Sequence, residues 1–457
     1  MDVMSEVAIA GRGSHAYSRL RPRTRRALGL VVVWTLVLGN AAAIFWLWAN
    51  GGNLSGRTTG EALTSVARIT GLLSAFLALI QVVLLARLPA LEQLVGFDRL
   101  TVWHRWNGHA TIDLVVAHVF FSVWGYALMD KFSIGKEIST MIGGGVYPGM
   151  ITATVGTAFL LAVVATSYVI VRRRLQYEWW YAVHLLAYAG IALAWFHQIP
   201  TGNELVLDTV AADYWRALYV ATLALIVGFR VVVPIANAFR YRLRVAEVVE
   251  EGPDVVSIRI AGRNLDRLQA QPGQFFQWRF LDRWWTAHPF SLSEAPDGHS
   301  FRITVKALGD HSASLASTPV GTRVLAEGPF GVFTDAMQRR AKRLLIAGGI
   351  GITPVRALVE RSAGDDVVVY RALREDELVL RDELDDLGVD VHYVVGDHAA
   401  PGGEHLLSPE HLLELVPDLA ERDVYVCGPP GMTDFAVRSV RAAGAPRRHI
   451  HVEKFAL

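Results

Sequence analysis

Residues 101–129 are apolar enough to cross a membrane, yet they hold two imidazoles, His104 and His118, fourteen positions apart. An α-helix rises about 1.5 Å per residue, which separates those rings by about 21 Å along the axis. Fourteen residues is close to four whole turns, so both rings point to nearly one side. A second apolar stretch, 179–200, carries His184 and His197, thirteen positions apart. Two such helices side by side stack two bis-imidazole sites through a bilayer, an arrangement that suits two b-type haems and a path for electrons across the membrane. Thirteen residues turn an ideal helix through about 220° net of whole turns. His184 and His197 therefore require a bent helix, a π-bulge or different ring rotamers. Each histidine alone reads as a packed, hydrogen-bonded side chain; the four together read as ligands of haem iron.

Composition agrees with a membrane chain. Of 457 residues 52% are hydrophobic, and mean hydropathy is +0.31, too apolar for an ordinary soluble protein. The formal net charge of +1 gives no reason to expect nucleic acid as a partner. The single cysteine, Cys427, excludes an intramolecular disulfide framework and any four-cysteine zinc or iron–sulfur site. Any electron carrier beyond a flavin must use other ligands.

Six spans are expected, at 28–49, 69–86, 103–129, 150–171, 179–200 and 214–238, with Arg230 and Pro234 blurring the end of the last. Residues 12–26 hold six arginines and no acid, which favours an uncleaved first helix over a signal peptide processed near Ala41-Ala42-Ala43. With the N-terminus inside, the inner segments carry fourteen lysines and arginines, and the outer loops carry Arg57, Lys131 and Lys136. That bias places the N-terminus in the cytoplasm. Spans three and five then run the same way, pairing His104 with His184 at an inner site and His118 with His197 at an outer one. Arg68 near the outer side and Arg87 at the inner boundary read equally as partners of haem propionates or as snorkelling anchors. His109 and Asp113, four apart, read as a structural pair or a proton relay.

After residue 239 the texture changes. Alternating runs at 241–249, 255–260, 275–280, 301–306 and 323–326, separated by turn signals, predict a small antiparallel β-barrel. From residue 343 the order strand, glycine turn, helix, strand predicts a parallel doubly wound sheet. The expected organisation is a basic N-terminus at 1–27, a six-span domain at 28–239, a flavin-binding barrel at 240–336 and a nucleotide-binding α/β domain at 341–457.

The barrel holds His288-Pro289-Phe290-Ser291. A flavin needs an apolar shelf for its ring, a hydroxyl near its reactive nitrogen and donors for its phosphates, and these residues supply them. Lys306 and the turn Gly309-Asp310-His311-Ser312 continue the phosphate site. Gly348-Gly349-Ile350-Gly351-Ile352-Thr353-Pro354 follows the apolar run 344–347. Glycines there let backbone approach a pyrophosphate, and the next helix offers free N–H groups and its positive dipole end. The run 423–426 ends in Cys427-Gly428-Pro429-Pro430-Gly431-Met432, where a small residue lets a nicotinamide approach the flavin; the plain alternative for Cys427 is a buried core thiol. Arg371 and Arg374 follow the run 367–370, where arginines favour the extra phosphate of NADPH over NADH; the alternative is two solvated charges.

On these histidine intervals and three motifs the chain resembles the NADPH oxidase and ferric reductase superfamily over nearly its whole length. The resemblance implies six spans, two b haems, FAD on a ferredoxin-reductase-like barrel and NADPH on the last domain. By it, His104, His118, His184 and His197 are the haem ligands. Arg68 stands beside an outer haem where oxygen is reduced, and Arg87 meets an inner propionate. His288, Phe290 and Ser291 cradle the flavin, and Phe455 covers its ring. One turn after His118, animal NADPH oxidases have a further histidine; here the position is Ser122. The expected activity carries electrons from NADPH through FAD and two haems to an extracytoplasmic acceptor, foremost O2 giving superoxide. A ferric chelate is the alternative acceptor, and an electron-supply subunit for a partner protein or quinone is the alternative class. No obligatory protein partner is expected, and the chain is placed in the cell membrane.

Overall fold

A computed structural model describes residues 22–455 except 57, 144, 169–170, 172–173, 176, 203–204, 207, 284–286, 363–364, 399, 401 and 404. The basic segment 1–21 lies outside the described residues. Among the described residues six helices are long and apolar enough to cross a membrane. They belong to α1 (Pro22–Asn50), α2 (Thr59–Leu84), α4 (Phe97–Asp130), α6 (Met150–Ser167), α7 (Tyr177–Thr201) and the pair α8 (Thr209–Val227) and α9 (Val233–Tyr241). Short helices α3 (Pro89–Val95) and α5 (Ile134–Gly143) sit in the connections on either side of α4.

Three boundaries differ from expectation for local reasons. The second span starts at Thr59, not 69. Glu61, which interrupts the apolar run, is used up in a capping box: Thr58 Oγ1 accepts from the Glu61 amide at 3.2 Å, and Glu61 accepts from the Thr58 amide at 3.0 Å. The fourth ends at Ser167. The sixth begins at Thr209, where Asp208 caps the Val210 and Ala211 amides, and runs on to Tyr241. Pro234 has no N–H to offer the Arg230 carbonyl. The chain passes it by widening into a π-turn at Gly228–Val232, where the Val233 amide donates to the Gly228 carbonyl.

α2 packs along α4, and α6 along α7. The second pair crosses tightly: a Cβ on Gly156 would lie 2.6 Å from the Gly190 carbonyl oxygen, the close backbone approach that small residues permit in lipid. α4 and α7, by contrast, meet mainly through their histidine rings.

Beyond α9, β1 (Arg244–Gly252), β2 (Val255–Ala261) and β5 (Ser300–Lys306) form one antiparallel sheet, while β4 (His288–Ser291), β3 (Phe275–Phe280) and β6 (Val324–Phe330) form another. The expected barrel is not closed. The two sheets are joined by isolated bridges at Arg244↔Arg323 and Leu292↔Ile303, and they enclose Ile258, Ile260, Phe276, Trp278, Phe280, Phe301 and Ile303. The last part is a five-stranded parallel sheet in the order β11-β10-β7-β8-β9. Its strands are β7 (Arg343–Gly348), β8 (Asp366–Ala372), β9 (Asp390–Val395), β10 (Asp423–Gly428) and β11 (Ile450–Lys454). Core clusters cover both faces, as parallel sheets require. β7 and β10 are neighbours whose connections leave in opposite directions, which is where open α/β sheets bind ligands.

Candidate functional site

The structure brings the four membrane histidines together as two pairs. The ring centres of His104 and His184 are 6.1 Å apart, and those of His118 and His197 are 6.3 Å apart. A metal–imidazole bond is about 2.0 Å and a ring nitrogen lies roughly 1.1 Å from its ring centre, so two imidazoles gripping one metal have centres about 6.2 Å apart. Both pairs have that separation.

The ring nitrogens are oriented to match. His104 Nδ1 stands 3.1 Å from the Gln81 carbonyl oxygen, and His118 Nδ1 stands 2.7 Å from that of Ala67. A carbonyl only accepts, so each Nδ1 carries the proton and each Nε2 keeps a lone pair for a metal. His184 Nδ1 lies 3.4 Å from Ser167 Oγ, with Trp180 at 5.0 Å between ring centres. His197 Nδ1 is buried without a hydrogen-bond partner among the described residues. Gly71 makes room for the His118–His197 pair, since a Cβ there would lie 2.6 Å from His118 Nδ1.

Sequence reasoning missed the helix α2 groups that set these rings. Gln81 also accepts from Asn107 Nδ2 at 2.7 Å. A polar amide in an apolar span was the available signal; the Ala67 carbonyl gave none. His109 and Asp113 are both exposed, and among the described residues no hydrogen bond or ion pair joins them. Arg68 donates to Asn53 Oδ1 at 3.0 Å. Arg87, implied to meet an inner propionate, lies in the turn that follows α2. It stands 3.5 Å from Glu327 on β6.

In the flavin-type sheets, His288, Pro289, Phe290 and Ser291 form β4, the strand at one edge of its three-stranded sheet. His288 and Phe290 stack with ring centres 6.3 Å apart at 18°, and Trp278 Nε1 fixes the strand by donating to the Phe290 carbonyl at 3.0 Å. Burial lowers the pKa of His288, favouring a neutral ring. Ser291 is buried. Lys306 ends β5, and Ser312 Oγ is engaged with its own turn, accepting from the Leu308 and Gly309 amides at 2.9 and 3.1 Å. The side chain of Asp310 lies outside the described residues.

At the carboxyl ends of β7 and β10 the predicted motifs do converge. Cys427 pairs in register with Ala347. A Cβ on Gly351 would lie 2.4 Å from the Cys427 carbonyl oxygen, and one on Gly428 3.1 Å from that of Gly348. Thr353 and Pro354 are buried in helix α10 (Ile352–Val359), which the glycine turn opens. Pro429 stands at the start of the final helix, and the Phe455 amide donates to the Gly428 carbonyl at 3.1 Å. Phe455 therefore lies beside the glycine turns, packed on the same core. The Cys427 thiol is fully buried, and burial pushes its pKa up; it is inert as a thiolate.

Arg371 and Arg374 part company. Arg371 pairs with Gly348 in register, but its guanidinium donates to the carbonyls of Ala372, Val394 and Gly396. Arg374 is 65% exposed, with Asp376 at 2.9 Å and Glu377 at 3.4 Å.

Two apolar helix pairs joined through histidines, carrying an open two-sheet module and a parallel sheet with paired glycine turns, define a membrane-bound reductase. Residues 70–195 match the family model described as a ferric reductase like transmembrane component, and residues 345–438 match an oxidoreductase NAD-binding domain. The chain belongs to the NADPH oxidase and ferric reductase superfamily. The chain is 31% identical over 235 residues to the ferredoxin reductase component of 3-ketosteroid-9-alpha-monooxygenase of Mycolicibacterium smegmatis (47% of this chain, 65% of that one). It is 30% identical over 187 residues to ferredoxin–NADP reductase B of Sorangium cellulosum (36% and 77%), and 30% identical over 240 residues to an NADPH oxidoreductase of Mycobacterium tuberculosis (49% and 62%). The chain spans less than two thirds of the length of the first and third.

Proposed function

We propose that this chain carries electrons from cytoplasmic NADPH through FAD and two b haems to an acceptor on the opposite side of the cell membrane. The observation that carries the reading is the pair of histidine contacts, 6.1 and 6.3 Å between ring centres, each at the separation of two imidazoles on one iron. When bound, the flavin accepts a hydride and releases single electrons, which haem iron accepts one at a time. His104 and His184 hold the inner iron, and His118 and His197 the outer one. The Gln81 and Ala67 carbonyls fix ring orientation.

His288, Pro289, Phe290 and Ser291 line the flavin, with Lys306, Gly309, Asp310 and Ser312 toward its phosphates. Gly348, Gly349, Gly351, Thr353 and Pro354 take the nucleotide pyrophosphate, with Cys427, Gly428 and Pro429 beside the nicotinamide. Phe455 covers the flavin ring. Arg374, the exposed arginine of the two, meets the ribose phosphate of NADPH. The six spans at 28–239, the flavin module at 240–336 and the nucleotide domain at 341–457 act as the three units. The N-terminus and both reductase domains face the cytoplasm.

Arg68 stands near the outer site, where O2 is reduced to superoxide. Purified protein supplied with haem should show a reduced-minus-oxidised Soret difference and about two haems per chain. A colourless protein, or one haem, removes the transmembrane route. With NADPH, cytochrome c reduction that superoxide dismutase suppresses supports O2 as acceptor; reduction of ferric chelates under nitrogen alone supports the ferric alternative. The reductase components among its relatives support a second reading, an electron supply to a protein partner, which predicts slow turnover with either small acceptor.

A further inference from the structure

The turn after α2 holds Arg87 at φ 61, a left-handed backbone that residues with a Cβ adopt only at a cost. Its guanidinium lies 3.5 Å from Glu327 Oε2, with the two side chains 20% and 17% exposed, and 5.8 Å from the centre of the Phe330 ring. The other charged groups facing Arg87 are Glu92 on α3, Arg230 on the π-turn and Arg279 on β3. Oε2 of Glu92 and of Glu327 is buried without a hydrogen-bond partner, and Arg87 is the opposite charge beside Glu327.

Two rows of contacts meet at this ion pair. In the sheet, Glu327 pairs with Gln277, and Gln277 pairs with Pro289 of the proposed flavin strand. In the membrane, Gln81 of α2 holds the His104 ring through its carbonyl, six residues before Arg87. The pair thus links the element that orients the inner histidines to the strand that carries His288–Ser291.

We propose that Arg87 and Glu327 are positioning residues that seat the flavin strand against the inner histidine pair and set the rate of the single-electron step between them. The inference rests on the reading given under Proposed function. In that step one electron leaves the reduced flavin and one ferric iron becomes ferrous, so the hydride from each NADPH feeds two such steps. Misplacement by an ångström has a steep effect on a reaction that depends on distance.

The test uses the full-length, haem-loaded protein with Arg87→Glu, Glu327→Arg and the double reversal Arg87→Glu/Glu327→Arg. Anaerobic stopped-flow separates NADPH-dependent flavin bleaching from haem reduction, and hydrogen exchange reports protection of Val324–Phe330. Each single reversal should slow haem reduction roughly tenfold or more and reduce protection of β6, with flavin bleaching and the haem spectrum unchanged. The double reversal should restore protection and most of the rate. Equal loss of bleaching and haem reduction, an unchanged haem rate in the singles, or a double no better than the singles would overturn the proposal. A parent protein without haem bands would sink the transmembrane reading instead, and β6 protection would still report whether the pair docks the sheet.

Discussion

Strands β7, β8 and β10 are buried at every position, whereas α1 turns Leu28, Val31, Trp34, Leu36 and Leu38 outward at 49–62% exposure. The reductase half hides apolar surface from water inside itself. The membrane half leaves it for lipid, and carbonyls of α2 orient two of its histidines. The two halves therefore fail differently. In the membrane half, damage should show as lost cofactor geometry; in the reductase half, as lost nucleotide chemistry or lost fold.

The sharpest way to break that comparison is His118→Leu. It should leave about one haem per chain and stop delivery to the outer acceptor, while NADPH-dependent flavin bleaching continues. Haem titration and anaerobic stopped-flow check both parts. Loss of flavin bleaching in a folded variant would mean that the halves are not separable.

A glycine in each half gives the next test. Gly351→Ala places a Cβ 2.4 Å from a backbone carbonyl, that of Cys427, which cannot swing away. The two nucleotide turns must spread, and NADPH-driven flavin bleaching should fall by roughly a hundredfold with haem bands intact. Gly71→Ala meets the His118 ring at 2.6 Å, so it should shift or weaken the outer haem band and spare flavin bleaching. If both variants gave the same phenotype, the division of labour would be wrong.

Much of this was legible in the sequence because each half obeys one strong rule. Long apolar runs marked the spans, and the intervals of fourteen and thirteen marked the pairs. The drift of about 220° over thirteen residues did not prevent the second pair from meeting. Glycine turns after apolar runs placed the β7 and β10 loops. What was illegible depended on partners far away. Glu61 and Arg68 hid the first turns of α2 because a capping box and Asn53 satisfy them. α3 and α5 were too short to register as spans. β4 carries a proline and hid among motif residues. β9 and β11 were missed because their role is to pair with β8 and β10 in the sheet. Arg371 read as a phosphate ligand because nothing local shows that the Val394 and Gly396 carbonyls from β9 and its end would claim it.

That split between the arginines yields a smaller effect. Arg374→Ala should raise KM for NADPH roughly tenfold and leave NADH nearly unchanged, as expected for loss of one exposed contact to a phosphate. Arg371→Ala removes a guanidinium that ties β8 to β9, so it should lower thermal stability and affect both nucleotides alike. Steady-state kinetics with each nucleotide, and melting curves, separate the two. An NADPH-specific loss in Arg371→Ala would return that residue to the phosphate site.

The smallest effect lies where the halves meet. Burial outweighs the Arg87 charge and raises the Glu92 pKa to about 7. Its unfolded value is near the ordinary 4.5, so between those two pH values the folded chain binds the extra proton. Stability must then fall as pH rises through that window and stay reduced above it. The full cost is at most about 3.5 kcal/mol, since each pKa unit corresponds to about 1.4 kcal/mol. Glu92→Gln cannot titrate. Its melting temperature in detergent should match the parent near pH 5, pull ahead between pH 5 and 7, and hold that lead above pH 7. Curves that stay parallel across the range would show that Glu92 is ionised throughout and that Arg87 serves it as fully as it serves Glu327.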